Sequence, residues 1–223
     1  MKDVLSNALC SLHIYKSRLY IIYLHIFTSS HLHIEGAFPH LHIFTSSHLH
    51  INYMDNSAEL LPLTDEQGNV IGKATRGECH NGQSMLLHPV VHLHVFNHEG
   101  EVFLQHRPQW KTVQPDKWDT AVGGHVDWGE TVEQALLRET REEIGLTDFT
   151  PEFLLKYTHQ SAIERELVYV FRLITSATPT PSEELDGGRF FSMQELHERM
   201  GTGFFTPNFE AEWEKVKTFL SNK

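Results

Sequence analysis

Residues 124–146 read GHVDWGETVEQALLRETREEIGL and predict a short helix that carries three carboxylates on one side. Thr131 and Gln134 have the spacing of a capping box, and Gly145 suits the left-handed residue that ends many helices. At about 100° per residue, one stripe of this helix is mostly apolar and a neighbouring stripe is acidic. The apolar stripe contains Leu136, Leu137, Thr140 and Ile144, and the acidic stripe contains Glu139, Glu142 and Glu143.

The acidic stripe indicates a divalent cation. Like charges three or four residues apart each cost a helix roughly 0.2–0.5 kcal/mol unless something neutralises them. Carboxylate oxygens are preferred ligands of Mg²⁺ and Mn²⁺, ions that are often shared with phosphate groups. An isolated ExxEE on a helix is more often a solvated acidic face, so the surrounding residues have to decide between the two interpretations.

The surrounding residues resemble the Nudix box, which runs Gly, five residues, Glu, seven residues, Arg-Glu, an aliphatic, any residue, Glu-Glu, any residue, Gly, an aliphatic. Its seven fixed positions are filled by Gly124, Glu130, Arg138, Glu139, Glu142, Glu143 and Gly145. Thr140 stands where an aliphatic residue is usual, and we expect its half-apolar side chain to pack there. The resemblance implies the Nudix fold, a mixed β-sheet sandwiched between α-helices. Periodicity alone indicates only an α/β or α+β domain.

The resemblance continues upstream of the box. Residues 105–125, QHRPQWKTVQPDKWDTAVGGH, are similar to the phosphate-binding approach of the Nudix branch that includes isopentenyl-diphosphate isomerases. Arg107 and Lys111 keep the spacing of that branch, and His88 and His125 match positions where the isomerases carry metal-binding histidines. The isomerases need a cysteine where this chain has Gly123, and glycine cannot transfer a proton.

The resemblance therefore implies a Mg²⁺- or Mn²⁺-dependent hydrolase that cleaves a diphosphate linkage, in a nucleoside diphosphate-X or another organic diphosphate, by water attack at phosphorus. The implied catalytic residues are Glu143 as candidate base, Glu139, Glu142, and Arg138 acting with Glu130. The implied metal ligands are Glu139, Glu142 and Glu143, with His88, Glu183 and Glu184 as further candidates. The implied substrate-binding residues are Arg107, Lys111, His125 and Gly124. Two alternatives stay open: an isomerase-like enzyme and a catalytically silent nucleotide-binding module.

Residues 1–53 differ from the rest of the chain. They hold eight of the 17 histidines and repeat LHIFTSSHLHI at residues 24–34 and 41–51. Their apolar run is shorter than the roughly 20 residues that cross a bilayer. We expect this segment to be a non-native or disordered leader, translation to start at Met54, and residues 54–223 to form the Nudix domain. A histidine-rich metal-binding tail is a further alternative.

The composition of the chain limits the classes of partner and the cellular location that we expect. A formal net charge of −11 argues against a nucleic-acid partner, because binding to nucleic acid depends on clustered Lys and Arg. Two cysteines form no disulfide framework, which favours a reducing, cytoplasmic location. We expect a small-molecule organic diphosphate as the partner, no membrane association, and a homodimer as a candidate assembly.

Alternation and turn residues predict the remaining elements. We expect strand pairs at residues 61–63 with 70–74, 90–98 with 101–107, and 153–160 with 166–174. A short strand at 189–191 and a closing amphipathic helix at 208–220 should follow. Because His92 and His94 alternate with Val91, Leu93 and Val95, we expect the two histidines to mark the outer face of their strand.

Overall fold

The computed structural model describes residues 56–111 and 113–222, and residues 57–223 cluster as one compact unit. The predictions for residues 1–53 and for Met54 lie outside the described residues. The elements in chain order are β1 (Leu60–Thr64), β2 (Val70–Thr75), α1 (Arg76–Cys79), β3 (Leu87–Phe96), β4 (Val102–His106), β5 (Trp118–Thr120), β6 (Val122–His125), α2 (Val132–Ile144), β7 (Glu152–Gln160), β8 (Arg165–Ile174), β9 (Gly188–Phe191), α3 (Met193–Arg199) and α4 (Pro207–Ser221).

Seven strands form one mixed sheet around β3. On one side β3 runs parallel to β8, which pairs with the edge strand β7. On the other side β3 pairs antiparallel first with β6 and then with β4, and β4 in turn pairs with β5 and β9. The register places His125 opposite Val90, and Glu166 opposite His88. Strands β1 and β2 form a separate two-stranded sheet.

The sheet buries both of its faces. One face packs on α2, where Leu136 and Ile144 join Val91, Leu93 and Val95 of β3 in one apolar cluster. The opposite face packs on α3 and α4 in a second cluster, whose members include Leu196, Phe209, Trp213 and Val216. This arrangement confirms the predicted mixed sheet between helices.

Local sequence explains where α2 begins and ends. The capping box between Thr131 and Gln134 is present, and Gly145 ends the helix at φ 72°. Thr140 is fully buried, and its hydroxyl donates to the Leu136 carbonyl at 2.6 Å, so the departure from the box is accommodated. The prediction for Leu137 is wrong: its side chain is 45% exposed, because the buried stripe is centred on Leu136 and Thr140.

The prediction that His92 and His94 mark an outer strand face is also wrong. His94 is fully buried, and both imidazoles bond to the Glu212 carboxylate of α4 at 2.7 Å. Alternation indicates that two strand faces differ, but it does not show that one of them meets water. Here α4 covers the face that carries the histidines.

The other predicted strand pairs, the strand at 189–191 and the closing helix are confirmed within a few residues. Four short elements were not predicted: α1, β5, β6 and α3. β6 contains Gly123 and Gly124, residues that disfavour strands, and it becomes a strand by pairing with β3. Within the described residues, Cys79 is a buried free thiol, and no helix is long and apolar enough to cross a membrane.

Candidate active site

Arg138 organises the acidic side of α2. Its Nε and one terminal nitrogen donate to the two Glu130 oxygens at 2.8 Å, and its other terminal nitrogen lies 2.6 Å from Glu139 Oε1. A longer contact of 3.4 Å reaches Glu142. Burial alone would lower the pKa of Arg138, but these carboxylates raise it, so the guanidinium stays charged. The predicted pairing of Arg138 with Glu130 is therefore present, and it positions two of the three clustered glutamates.

Groups on two strands of the sheet hold the Glu143 carboxylate in place. Its Oε2 accepts from the Gly123 backbone N–H at 3.0 Å and from the Gln105 side-chain amide at 3.4 Å. Loss of hydration and the neighbouring Glu139 charge raise the pKa of Glu143 to about 8, while Lys111 acts in the opposite direction. Crowding of this kind favours a bound cation or proton.

Gly124 provides the space for Glu139. A Cβ atom built on Gly124 would overlap the Glu139 carboxyl group. Glu139 is itself buried under β6, and Arg138 also holds that strand by donating to the His125 carbonyl at 3.0 Å. The first glycine of the box is thus required by the close approach of strand and helix.

The proline-flanked loop after β8 reaches the end of α2. Its Thr180 and Ser182 N–H groups donate to the Ile144 and Glu143 carbonyls at 2.8 Å, which satisfies backbone acceptors at the helix C-terminus. Glu184 lies close enough for its charge to raise the pKa of Glu143. Glu183, the other predicted acid of this loop, is exposed.

The two predicted cations occupy different positions in the loop between β4 and β5. The Lys111 ammonium lies over the Trp110 ring, 4.8 Å from its centroid, and its charge reaches Glu143. The Arg107 guanidinium donates to the Gln114 and Val113 carbonyls at 3.2 and 2.9 Å. The charge of Lys111 therefore acts on Glu143, whereas the Arg107 guanidinium is held within its own loop.

A second cluster, here called the histidine cluster, consists of His80, His88 and His125. One ligand atom from each ring lies within 4.8 Å of the others, and this is the only group of three such side chains found among the described residues. The Nε2 atoms of His80 and His125 are 3.0 Å apart. His80 Nδ1 contacts Glu164 at 2.7 Å. Imidazole nitrogens converging in this way suit a transition-metal ion such as Zn²⁺.

His88 has the protonation state that a metal ligand needs. Its Nδ1 lies 3.0 Å from the Leu86 carbonyl, an acceptor that requires this nitrogen to carry the proton. Its Nε2 is buried without a hydrogen-bond partner. Burial lowers the pKa of His88 to about 4, so the ring is neutral near pH 7. A backbone acceptor that orients a ligating imidazole is a common feature of metal sites.

The two clusters lie on opposite faces of β6. Gly124 faces Glu139, and because neighbouring strand residues point to opposite faces, His125 faces away from α2. The predicted residues His88 and His125 are thus brought together with each other, not with the glutamates. Sequence reasoning missed His80, and its only signal was a histidine eight positions before His88. Its approach to His125 depends on the turn after α1.

Comparisons with known proteins show which family the chain resembles. A family model described as the NUDIX domain matches residues 86–209. An uncharacterized Nudix hydrolase of Streptomyces coelicolor is 32% identical over 170 residues, covering 74% of this chain and 92% of that protein. Isopentenyl-diphosphate Delta-isomerase 1 of Photorhabdus laumondii is 29% identical over 168 residues, covering 71% and 94%.

The chain therefore belongs to the Nudix family, and the predicted enzyme class, a hydrolase, is confirmed. Among solved structures, DR0079 of Deinococcus radiodurans matches with a TM-score of 0.57 at 27% identity, covering 66% of this chain and 92% of that one. A MutT protein of Methanosarcina mazei matches in fold with a TM-score of 0.52 at 23% identity, covering 61% and 96%.

Proposed function

We propose that this chain is a Mg²⁺- or Mn²⁺-dependent hydrolase that cleaves a diphosphate linkage in a nucleoside diphosphate-X or another organic diphosphate. The observation that carries the proposal is that Arg138 holds Glu139 and Glu142, while the charge of Glu139 acts on the buried Glu143 of the same helix. The residues fit a hard divalent ion because they offer carboxylate oxygens, and because burial and the Glu139 charge raise the pKa of Glu143 more than Lys111 lowers it.

In this proposal Glu139, Glu142 and Glu143 hold the ion, with Glu184 as an additional ligand and Glu183 as a more distant candidate. The ion would polarise the phosphoryl oxygens and lower the pKa of its bound water. Arg138 and Glu130 keep the first two carboxylates in place. The Gly123 N–H and the Gln105 amide orient the Glu143 carboxylate, which is positioned to accept a proton from the attacking water.

Positive charge beyond the ion comes from the loop after β4. Lys111 provides an ammonium group whose charge already acts on Glu143. Arg107 lies in the same loop, and Gly124 permits a close backbone approach at the floor of the site. The family resemblance also implied that His125 contacts the substrate. Because His125 lies on the face of β6 opposite to the glutamates, we assign it to the histidine cluster instead. The proposed partner is a small molecule, the proposed location is cytoplasmic, and a homodimer remains the candidate assembly.

An isomerase-like reaction is the second candidate, and two observations favour it. The histidine cluster offers a second metal site, and relatives named as isopentenyl-diphosphate isomerases match most of the chain. Against it, position 123 has no titratable side chain that could transfer a proton. A silent nucleotide-binding module is disfavoured because every glutamate of the box is retained.

Substitution of Glu143 by Gln tests the hydrolase. We expect Mg²⁺-dependent release of phosphate or monophosphate to fall by a factor of about 10² or more, because a metal ligand and the candidate base are lost together while shape is kept. Turnover is measured over nucleoside triphosphates, nucleotide sugars, dinucleotides and isoprenoid diphosphates. Glu133→Gln is the matched control, since Glu133 is an exposed glutamate of the same helix.

The outcomes separate the candidates. Full turnover in Glu143→Gln contradicts the role assigned to Glu143. A shifted double bond in an isoprenoid diphosphate without hydrolysis supports the isomerase-like enzyme. Tight nucleotide binding without any turnover supports the silent module.

A further inference from the structure

Arg107 closes the base of the loop that joins β4 to β5. Its backbone N–H donates to the Lys117 carbonyl at 2.8 Å, and its carbonyl accepts from the Asp116 N–H at 3.1 Å. Its side chain then turns into the same loop, where Nε donates to the Gln114 carbonyl and a terminal nitrogen donates to the Val113 carbonyl. The backbone of Arg107 thus pairs with the end of the loop, and its guanidinium binds the interior of the loop at Val113 and Gln114.

The loop that Arg107 holds is also connected to the core of the domain through Asp119. One Asp119 oxygen lies 3.4 Å from the Arg107 guanidinium, and the other accepts from the Thr206 hydroxyl at 2.8 Å. Thr206 is the N-cap residue of α4. The loop is therefore tied, through one carboxylate, to a strand and to the start of a helix.

The loop needs such support because its backbone is unfavourable. Gln114 and Asp116 have φ angles of 48° and 57°, in the left-handed region that residues with a Cβ rarely adopt. The Gln114 carbonyl is one of the groups that Arg107 binds. A planar guanidinium with several donors can hold two carbonyls and a carboxylate at once, which the single ammonium of lysine cannot reproduce.

Lys111 depends on this loop. It lies between Arg107 and the two carbonyls that the guanidinium binds, and its ammonium packs over the Trp110 ring of the same loop. The Arg107 guanidinium is engaged by those carbonyls and by the Asp119 carboxylate, whereas the Lys111 ammonium lies on a ring face and its charge acts to lower the pKa of Glu143. A change in the loop would therefore move this cation without touching the glutamates themselves.

We infer that Arg107 is a positioning residue, which holds this loop in the shape that presents Lys111 to the diphosphate and does not itself bind the diphosphate. The inference rests on the proposed function for its ligand, a diphosphate. The family resemblance implied the same role for Arg107 and Lys111, and this inference gives them different roles.

A double-mutant cycle on binding tests the inference. The probe is methylenediphosphonate with Mg²⁺, a non-hydrolysable diphosphate, titrated calorimetrically into Arg107→Lys, Lys111→Gln and the double variant. We expect each single variant to weaken binding about tenfold, the effect of losing one charge-assisted hydrogen bond. The double variant should bind about as weakly as Lys111→Gln alone, because Arg107 acts through Lys111. A loss of about a hundredfold in the double variant would show that Arg107 contacts the diphosphate directly. Normal binding by Arg107→Lys would show that Arg107 has no role in binding. Either result overturns the inference.

Hydrogen exchange provides a readout that does not depend on the reaction. Without metal or ligand, we expect Arg107→Lys and Asp119→Asn to speed amide exchange in residues 108–117. The control is Arg172→Lys, because Arg172 is as exposed as Arg107, at 24%, and also pairs with a carboxylate, that of Glu152. Unchanged loop exchange overturns the inference. Normal probe binding by the native chain without turnover of any diphosphate would instead overturn the proposed function.

Discussion

Gly124 leaves no space for a side chain at the acidic site. Its Cα lies where any side chain would enter the space of the Glu139 carboxyl group, and Glu139 cannot easily retreat because Arg138 holds it. The box could be recognised from its letters, but the reason for this glycine could not. That reason is the distance between β6 and α2, which the sequence does not express.

Replacing Gly124 by Ala should therefore damage activity more than stability. We expect kcat/KM to fall about a hundredfold or more, since displacement of a catalytic group by about 1 Å can have that effect. The free energy of unfolding should fall by about 1–3 kcal/mol, the usual cost of overpacking. Steady-state kinetics and urea unfolding measure the two quantities.

Gly72→Ala is the matched control for this substitution. Gly72 is also a strand glycine, and the atom nearest to a methyl group added there would be Leu63 Cδ1 at 3.9 Å, an ordinary contact. Both kinetics and stability should stay close to those of the native chain. Normal turnover by Gly124→Ala would contradict the proposed placement of Glu139.

Helix α4 is attached to the sheet by a buried ionic network as well as by apolar packing. The Glu212 carboxylate accepts from His92, His94 and the Tyr157 hydroxyl at 2.7–2.8 Å. Burial would lower the pKa of His92, but the Glu212 charge offsets this and raises it to about 9. Burial would raise the pKa of Glu212, but the two histidines lower it strongly. Glu166 and Asp119 add negative potential near His92.

The network predicts a pH dependence of stability. Because the pKa of His92 is higher in the folded chain than its ordinary value of 6.5, its contribution is complete below about pH 6.5 and is lost as the pH rises towards 9. The Glu212 contribution is present above its ordinary pKa of 4.5 and is lost in acid. We expect His92→Gln to cost about 1–3 kcal/mol near pH 6, and less at pH 9, in urea unfolding.

Tyr157→Phe is the control that separates the effect of His92 ionisation from the loss of a hydrogen bond to Glu212. Burial and the Glu212 charge raise the pKa of Tyr157 above its ordinary value, so the phenol stays protonated throughout the range tested. Its substitution removes one hydrogen bond and should have the same cost at pH 6 and pH 9. An equal cost of His92→Gln at both values would show that His92 is not charged in the folded chain.

The described part of the chain carries two candidate metal centres, which lie on opposite faces of strand β6. The glutamates belong to the α2 face of β6, and the histidine cluster belongs to the other face. The donor atoms differ in the same way, with carboxylate oxygens suited to Mg²⁺ or Mn²⁺ and imidazole nitrogens suited to Zn²⁺. Arg138 connects the two, because it holds Glu139 and also donates to the His125 carbonyl.

Thermal unfolding with Zn²⁺ tests the histidine cluster separately. A ligand at about 100 times its Kd stabilises the folded state by about 2.7 kcal/mol, which raises the Tm of a chain of this size by about 5–10 °C. We expect this increase for the native chain and for Glu143→Gln, and its loss in His80→Gln. An equal increase in all three proteins would place the Zn²⁺ site elsewhere.

Local patterns were enough to predict the box helix, its caps, the three strand pairs and the closing helix. These features depend on residues within one turn of helix or along one strand, so their spacing is visible in the sequence. The Arg138–Glu130 pair was instead implied by the family resemblance, and the two side chains are in contact in the structure.

Only the tertiary structure placed β6 against β3, buried His92 and His94 under Glu212, and brought His80 to His125. It also turned the Arg107 side chain into its own loop. Each of these contacts joins groups whose approach depends on how strands and helices pack. Side-chain spacing along the chain carries no information about that approach, and this is why the acidic helix could be recognised in the sequence while the second cluster could not be completed.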